Sequence, residues 1–337
     1  MTQPAPEIET PGRVAVVRLD ALGDTLLSTP AIDVLCRELG SENVLVIASP
    51  GLGVIFGEQP FYAEISPEQP DEAIASAIDE FGADTVYVFS EKRRALRGAY
   101  LSKAEQRIGF DPGWTQPLRS FEIRRYLTVR FPIVNTLDSS SRYHEVERYC
   151  RLVGKGLPKK SVNGGRLRFF TVDRPEQPRD DGPAAFQWAG KWLNGGWPDK
   201  LLLELLEPLP EDTRIFVAPE EKETALDQLP EARRSHLVCC PSLTEYAREM
   251  SDCSYLVSVD TGAVHVAAAM GVAVVDVFPE EGAHHTVPRW RPWMTPHQVV
   301  LKPDYNGEES MRELLNSVEK ARRELTEIVI GLHCLRG

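Results

Sequence analysis

The chain has 337 residues, of which 42% are hydrophobic and 26% charged, an ordinary composition for a globular enzyme with room for two domains. Its net charge of −12 argues against nucleic acid as the main partner. No apolar run reaches the ~20 residues that cross a bilayer. Residues 1–12 are rich in Pro and Glu and lack the basic and apolar regions of a signal peptide, so we expect a disordered lead.

Strand and helix patterns alternate through the first half. Apolar, β-branched runs predict strands at residues 14–19, 44–48 and 85–89. Amphipathic spacing predicts a helix over residues 71–81, and Leu27, Ala31, Leu35 and Leu39 recur every four residues after the first strand. Strands separated by helices predict a parallel sheet with helical crossovers, and therefore the α/β class.

The charge of the first half is uneven. Between residues 91 and 130 stand ten Lys or Arg against four Asp or Glu. Such a stretch could face a phosphorylated glycolipid or an anionic membrane, and ordinary ion pairs on a solvated surface are the alternative. We place the contacts to such a glycolipid on Arg93, Arg94 and Arg97.

A segment rich in Pro, Gly, Asn and charged residues follows and predicts the domain boundary. We assign residues 13–165 to a first domain, 166–182 to a linker and 183–320 to a second domain. The second α/β run predicts strands at 184–188, 214–218 and 236–240, with helices at 200–207, 221–229 and 243–250.

Residues 255–278 are the most informative stretch of the sequence. They predict a buried strand, a polar turn at Asp260, Thr261 and Gly262, a short helix, a glycine stop at Gly271 and another buried strand. Free backbone N–H groups, a hydroxyl and the imidazole of His265 would surround a hollow that suits phosphate or diphosphate. An ordinary β-α-β unit in which Asp260 only caps the helix is the alternative.

Two motifs carry a family resemblance. Arg18-Leu19-Asp20-Ala21-Leu22-Gly23-Asp24 is followed by Thr29-Pro30, and Asp260-Thr261-Gly262 is followed by His265 three residues later. With weaker motifs in the same order between them, the chain resembles glycosyltransferase family 9, the ADP-heptose:lipopolysaccharide heptosyltransferases, over roughly residues 13–325.

The resemblance implies a GT-B fold, in which two tandem Rossmann-like domains place their parallel sheets across a cleft. It also implies that residues 321–337 pack back on the first domain. The implied activity is an inverting, metal-independent and cofactor-free transfer from a nucleotide-diphosphate sugar, with ADP-heptose as the lead donor. The implied acceptor is a lipopolysaccharide-type, lipid-linked or cell-surface saccharide, handled in the cytoplasm or at the inner face of the cell membrane.

The resemblance also assigns roles. Asp24 matches the catalytic base, with Asp20 as its nearest rival and a helix cap as the structural alternative. Gly23, beside Asp24, is assigned to donor binding. Asp260, Thr261, Gly262 and His265 match the donor site, where His265 could instead be a buried structural histidine. Glu221 matches the acidic contact to the nucleoside, unless the alignment slips to Glu220.

One departure concerns a lysine. The family usually carries it two residues before a Trp-Pro pair, where this chain has Gly195. Lys191 is the one cation within reach along this loop and could replace it. Because the donor contact is altered, one alternative stays open: a non-catalytic GT-B protein that binds a nucleotide or a partner protein. So does another GT-B enzyme, such as a sugar-nucleotide epimerase.

Overall fold

The computed structural model describes residues 12–58, 60–113, 116–132, 143–154, 165–175 and 179–334. The chain divides into two compact units, Met1–Arg166 and Leu167–Gly337, so that the division falls at the start of the expected linker. The expected lead, residues 1–12, lies outside the described residues except for Gly12.

The first unit is a six-stranded parallel sheet with helical crossovers. Its strands are β1 Val14–Arg18, β2 Val44–Ala48, β3 Phe61–Glu64, β4 Thr85–Val88, β5 Gln106–Asp111 and β6 Val129–Pro132. Its helices are α1 Leu22–Leu39, α2 Asp71–Phe81, α3 Arg93–Leu101, α4 Pro117–Tyr126 and α5 Glu145–Val153. The strand order is β3-β2-β1-β4-β5-β6, and Val14 of β1 pairs with Val44 on one side and Thr85 on the other.

The second unit repeats this architecture. Its strands are β7 Ala184–Trp188, β8 Arg214–Val217, β9 Leu237–Val238, β10 Tyr255–Val259, β11 Ala273–Pro279 and β12 His297–Lys302. Its helices are α6 Lys200–Leu206, α7 Lys222–Gln228, α8 Glu231–Arg234, α9 Leu243–Ser251, α10 Gly262–Met270, α11 Ala283–Trp290 and α12 Glu308–Cys334. All described pairings are parallel, in the order β12-β11-β10-β7-β8-β9.

Both sheets therefore have the Rossmann strand order 3-2-1-4-5-6, which confirms the predicted α/β class with two Rossmann-like domains. The central strands are buried on both faces because their sequences are almost wholly apolar, as parallel strands covered by helices require. In such sheets the strand order reverses beside the first strand, at the topological switch point. Ligands bind there, at the carboxyl ends of the strands. That point lies between β1 and β4 in the first unit and between β7 and β10 in the second.

That residues 321–337 pack back on the first domain stays a prediction. Residues 321–334 form the end of the last helix, α12. Its buried side chains belong to the core of the second unit as far as Val329: Met311, Leu314, Val318, Ala321, Leu325 and Val329. The reason is that this apolar repeat, at helical spacing of three and four residues, continues without a break past residue 320. The helix therefore completes the second unit.

Local predictions met different outcomes. The helix at residues 71–81 and the strand at 184–188 have the predicted bounds, and Gly271 ends α10 in the left-handed conformation, with φ of 82°. The strand predicted at 236–240 is reduced to Leu237–Val238 at the sheet edge. Among the described residues, no helix is both long enough and apolar enough to span a membrane.

Candidate functional site

Arg18 organises the carboxyl end of β1. It is only 3% exposed, and its guanidinium pairs with Asp20 at 3.2 Å and with Asp24 at 3.1 Å. It also donates to the Phe89 carbonyl oxygen at 3.0 Å, at the end of β4, and lies 4.9 Å from the centre of the Tyr149 ring. A buried arginine with charged and backbone partners is fixed in place, so it holds both carboxylates at the β1–β4 switch point.

Asp24 is better placed than Asp20 to act as a base. The residue that caps α1 is Ala21, so Asp24 is not the cap, and its carboxylate contacts Arg18 instead. The Asp24 side chain is 37% exposed, against 20% for Asp20, which also contacts Lys92 at 3.7 Å. Burial raises the pKa of Asp24, Arg18 opposes this, and the negative charge of Asp20 adds to it. Gly23 lies beside Asp24 in the first turn of α1.

An ionic network extends from this point across the sheet edge. Glu145 is buried at the start of α5 and accepts from Arg148 at 2.5 Å, and its negative charge adds to the raised pKa of Asp24. Arg148 also approaches Glu91, which follows β4, at 3.6 Å. Arg148 therefore joins Glu145 to Glu91, and the charge of Glu145 acts on Asp24.

Arg93, Arg94 and Arg97, which the sequence analysis assigned to the glycolipid acceptor, differ in their surroundings. Arg94 donates to the carbonyl oxygens of Ser66 and Gln69 at 3.1 and 3.0 Å, so it fastens α3 to the loop between β3 and α2. Arg97 pairs with Asp71 of α2 at 3.6 Å, with half of its side chain exposed. Arg93 is mostly exposed and is thus more available to a ligand than Arg94.

In the second unit, Lys191 and Asp260 meet across the switch point. Lys191 lies in the short 3-10 segment after β7, which is anchored by the buried ring of Trp192 stacked on Phe186. Its Nζ pairs with Asp260 Oδ2 at 3.0 Å and donates to the Asp260 carbonyl oxygen. The structure thus places Lys191 at the Asp-Thr-Gly turn.

Glu221 rather than Glu220 faces this loop. The Glu221 carboxylate accepts the backbone N–H of Gly190 at 2.6 Å, whereas the Glu220 side chain is exposed. Glu221 therefore lies next to the residue that precedes Lys191.

The turn after β10 leaves a helix end open. Thr261 is the N-cap of α10, and in the described structure its side chain makes no capping hydrogen bond; its hydroxyl lies 3.3 Å from that of Ser258. Asp260 is therefore not the cap. The N–H groups of Gly262 and Ala263 form the positive end of the helix dipole. His265 lies in the first turn of this helix and is buried.

His265 does not supply positive charge at neutral pH. Burial lowers its pKa to about 4, and the nearby Lys191 adds to this effect. Its Nδ1 is buried and has no hydrogen-bond partner within the described part of the chain. The neutral ring can offer a ligand one N–H donor, or one acceptor, but not an ionic contact.

Asp276 is a second unusual acid in this region. It lies on β11 directly beside Ser258 of β10, is fully buried, and neither carboxyl oxygen has a partner among the residues the structure describes. Burial raises its pKa well above the ordinary value, the charge of Asp260 adds to the shift, and Lys191 opposes it. We therefore treat Asp276 as a neutral carboxylic acid beneath the site.

A cavity of about 450 Å³ opens at the same edge of the second sheet, within the usual size range for small-molecule sites. It is lined by Lys191, Asn194, Gly195, Val259, Pro279, Glu280, Glu281, Lys302, Pro303 and Asp304. The sequence reading took Lys191 as the one cation within reach, and that was wrong: Lys302, at the end of β12, is a second. It donates to the Asn194 carbonyl oxygen at 2.5 Å, lies over Trp197 at 5.2 Å, and has its pKa lowered to about 8 by burial.

The backbone conformation at Gly195, where the family carries its lysine, disfavours a side chain. Its φ is +84°, and a Cβ there would lie 2.5 Å from Asp304 Oδ1. Tyr305 N–H donates to the Gly195 carbonyl oxygen at 2.9 Å and fixes this approach. The loop is therefore built around glycine, and the positive charge enters the cavity from Lys191 and Lys302.

Some of the functional residues that the sequence analysis missed could have been recognised in the sequence, and one could not. Arg18 stands inside the first motif, and Asp276 is an acid within a long apolar run, so both were visible. Lys302 left no local signal, because its place depends on the pairing of β12 with β11. Within the described ranges, no group of three or more His, Cys, Asp or Glu side chains could hold a metal ion.

Comparisons with known proteins concern the family and the fold of the chain. The family model "Glycosyltransferase family 9 (heptosyltransferase)" matches residues 99–319. No curated protein sequence matches the chain. A family 9 glycosyltransferase structure from Veillonella parvula is similar with a TM-score of 0.70 and 16% identity, covering 96% of this chain and 99% of that one.

Two Escherichia coli structures are similar as well. Heptosyltransferase WaaC with ADP has a TM-score of 0.66 and 19% identity, covering 94% of this chain and 99% of that one. ADP-heptose lipopolysaccharide heptosyltransferase II has a TM-score of 0.67 and 17% identity, covering 93% and 98%. With a matching model over about two thirds of its length and the GT-B fold throughout, the chain belongs to glycosyltransferase family 9, the heptosyltransferase family.

Proposed function

We propose that the enzyme transfers a sugar with inversion from a nucleotide-diphosphate sugar, with ADP-heptose as the lead donor, to a lipopolysaccharide-type or other lipid-linked saccharide. The observation that carries the proposal is the meeting of Lys191 with Asp260 beside the open N-terminus of α10. An ammonium group and free helix N–H groups at one switch point suit a diphosphate. WaaC, which is similar in fold, has been solved with ADP and with ADP-2-deoxy-2-fluoro heptose.

In this proposal the second unit holds the donor. Lys191 and the N–H groups at Gly262 and Ala263 contact the diphosphate, with Thr261 and neutral His265 as hydrogen-bonding neighbours. Glu221, fixed beside the Lys191 loop, takes a hydroxyl of the nucleoside ribose. Asp260 holds Lys191 in position until the phosphate oxygens compete for its Nζ.

Asp24 serves as the general base. As the acceptor oxygen attacks the anomeric carbon, its proton passes to the Asp24 carboxylate, and the bond from that carbon to the phosphate oxygen breaks. The diphosphate leaves with the electron pair, and attack from the opposite face inverts the anomeric carbon. Burial supports this role because it makes the Asp24 carboxylate more basic than an exposed one.

The growing charge on the leaving diphosphate is stabilised by lysines and helix N–H groups. Since these groups supply the positive charge that a divalent cation supplies elsewhere, we expect transfer to persist in the presence of a chelator. We place the reaction in the cytoplasm, at the inner face of the membrane, where a lipid-linked acceptor is accessible.

The test is transfer measured by mass spectrometry, with ADP-heptose and a heptose-free acceptor lipid as substrates. Asp24→Asn should lower turnover about 10²- to 10⁴-fold, because an amide cannot take the proton. Its affinity for ADP should remain close to that of the wild type. Asp33→Asn, on the same helix α1 but paired with Arg37, is the matched control and should stay active. Wild-type turnover in Asp24→Asn would move the role to Asp20, and no product with ADP-heptose would reject that donor.

A further inference from the structure

Helix α4 exposes two large apolar side chains that nothing in the proposed reaction uses. Leu118 is 89% exposed and Phe121 is 79% exposed, while the next most exposed large hydrophobic residue described, Met294, reaches 53%. The two lie three residues apart and so share one face of the helix. The opposite face is buried through Ser120, Ile123 and Tyr126. Helix α4 is therefore packed on the first unit, and its outer face is apolar although the helix is in place.

Arginines surround these two side chains. Arg124 and Arg125 are exposed on the same helix, and Arg125 lies one turn after Phe121. Arg93 of α3, with 76% of its side chain exposed, reaches α4 through Glu122 at 2.6 Å. The chain as a whole carries −12, so this local excess of positive charge runs against the net charge of the protein.

The helix begins at the functional edge of the first sheet. Arg119 donates to the Glu91 carbonyl oxygen at 2.7 Å and pairs with its carboxylate at 3.4 Å. Glu91 follows β4 and also contacts Arg148 of the network that includes Glu145. Leu118 and Phe121, in the first turns of α4, therefore lie on the side of the unit that carries Asp24.

We propose that this α4 patch, composed of Leu118, Phe121, Arg93, Arg124 and Arg125, docks on an anionic lipid bilayer. Two adjacent apolar side chains can enter the headgroup region, while the flanking guanidinium groups contact lipid phosphates. Two side chains are few for the apolar core of a stable protein interface, which favours the membrane over a protein partner. The proposal needs no glycosyl transfer; where both hold, docking brings a lipid-linked acceptor to the edge of Asp24.

Binding of the full-length protein to sedimented vesicles tests the proposal. Vesicles of phosphatidylcholine with roughly 30% phosphatidylglycerol should bind it, and pure phosphatidylcholine should bind it much less. Raising the salt from ~0.1 to ~1 M should release it, because the screening length falls about threefold. Arg124→Gln/Arg125→Gln should weaken binding roughly 25-fold, from about fivefold for each arginine near an anionic surface. Leu118→Ser/Phe121→Ser should weaken it on the order of tenfold or more.

Matched controls come from the second unit. Met294→Ser removes an apolar side chain that is also exposed, and Arg312→Gln removes an exposed arginine of α12, and both should bind as the wild type does. Asp24→Asn should bind vesicles normally, so failed transfer and failed docking are distinguishable. Equal binding of both α4 double variants and the wild type would overturn the proposal. So would equal binding to neutral and anionic vesicles, or a self-association that Leu118→Ser/Phe121→Ser abolishes.

Discussion

Lys302 shows how one residue can change the chemistry of the cavity. It comes from the end of β12, shares the cavity with Lys191, and faces Asn194, Trp197 and Asp304. Burial lowers its pKa, and the nearby charge of Asp304 raises it in part. The cavity thus holds one lysine whose charge responds to mildly alkaline conditions.

Binding of ADP should therefore depend on pH through Lys302. The protonated amine attracts the diphosphate, so affinity should be steady below about pH 8 and should fall as the pH rises past the Lys302 pKa of about 8. Lys302→Met should bind ADP more weakly at pH ~7 and should lose most of this decline. Calorimetry from pH ~6.5 to ~9.5 measures both, with the exposed Lys200→Met as the control. A decline of the same size in Lys302→Met would show that Lys302 does not contact the ligand.

The buried acid Asp276 should make the protein less stable as the pH rises. Unfolded, its pKa is about 3.9; folded, burial holds the pKa well above that. Between the two values the folded state keeps a proton that the unfolded state has lost, so the free energy of unfolding falls with rising pH. Each pH unit in this interval costs about 1.4 kcal/mol.

Asp276→Asn removes this titration. We expect its stability relative to the wild type to increase as the pH rises above about 4, measured by urea unfolding. The difference between the two proteins cancels the opposite effect of His265, whose lowered pKa causes stability to be lost as the pH falls from about 6.5 toward 4. Asp199→Asn, at the exposed start of α6, should follow the wild type at every pH. Parallel curves for Asp276→Asn and the wild type would exclude a buried neutral carboxyl group.

At the scale of elements, the close packing of α2 against α3 depends on Gly98. A Cβ at this position would lie 2.6 Å from Ile74 Cβ, closer than two carbon atoms can approach. Alanine normally stabilises a helix interior by about 1 kcal/mol relative to glycine, whereas overpacking a core costs ~1–3 kcal/mol. The steric contact should therefore decide whether alanine at this position stabilises or destabilises the protein.

Gly98→Ala should lower the free energy of unfolding by up to about 2 kcal/mol, the overpacking cost less the gain in helix propensity. Gly331→Ala in α12 is the matched control, because no atom lies within 4 Å of the added methyl group. That variant should be neutral or more stable by up to about 1 kcal/mol. Denaturant unfolding of the two variants gives the comparison, and stabilisation by Gly98→Ala would show that the helices can separate without cost.

The sequence could predict those elements whose signals are local. Strands such as Val14–Arg18 and Tyr255–Val259 are continuous apolar runs, and Gly271 stands where a left-handed helix end is needed. Asp260 was found because it directly follows such a strand, whereas Asp24 was assigned through the family motif that follows the first strand. The edge strand Leu237–Val238 was overextended, because a short strand with one neighbour has a weak pattern.

What the sequence could not provide was placement that depends on strand order. Lys302 and Lys191 are more than a hundred residues apart and meet only because β12, β11, β10 and β7 lie side by side. The exposure of Leu118 and Phe121 depends in the same way on which face of α4 is buried. Hydrophobic periodicity describes one helix or strand at a time, so it does not predict contacts between elements.

At the scale of the whole molecule, each unit has a core of its own. The core of the first unit includes Ala15, Ile47 and Val86, and that of the second includes Phe186, Val257 and Leu325. Helix α12 contributes its buried side chains, from Met311 to Val329, to the second core. The residues proposed for donor binding other than Gly23, together with the cavity, lie within Leu167–Gly337.

The second unit should therefore fold and bind the nucleotide by itself. Residues 167–337 expressed alone should show a cooperative unfolding transition and bind ADP within about tenfold of the full chain, because the contacts of Lys191, Asp260 and Glu221 are all internal to it. In both proteins Lys191→Ala should weaken ADP roughly ten- to hundredfold, since a charge-assisted hydrogen bond contributes about 1.5–3 kcal/mol. Adenosine, which has no phosphate, should bind the variant and the wild type alike, and Lys200→Ala serves as the surface control. A folded second unit without affinity for ADP would place essential donor contacts in the first unit, and equal losses for ADP and adenosine would remove Lys191 from the phosphate site.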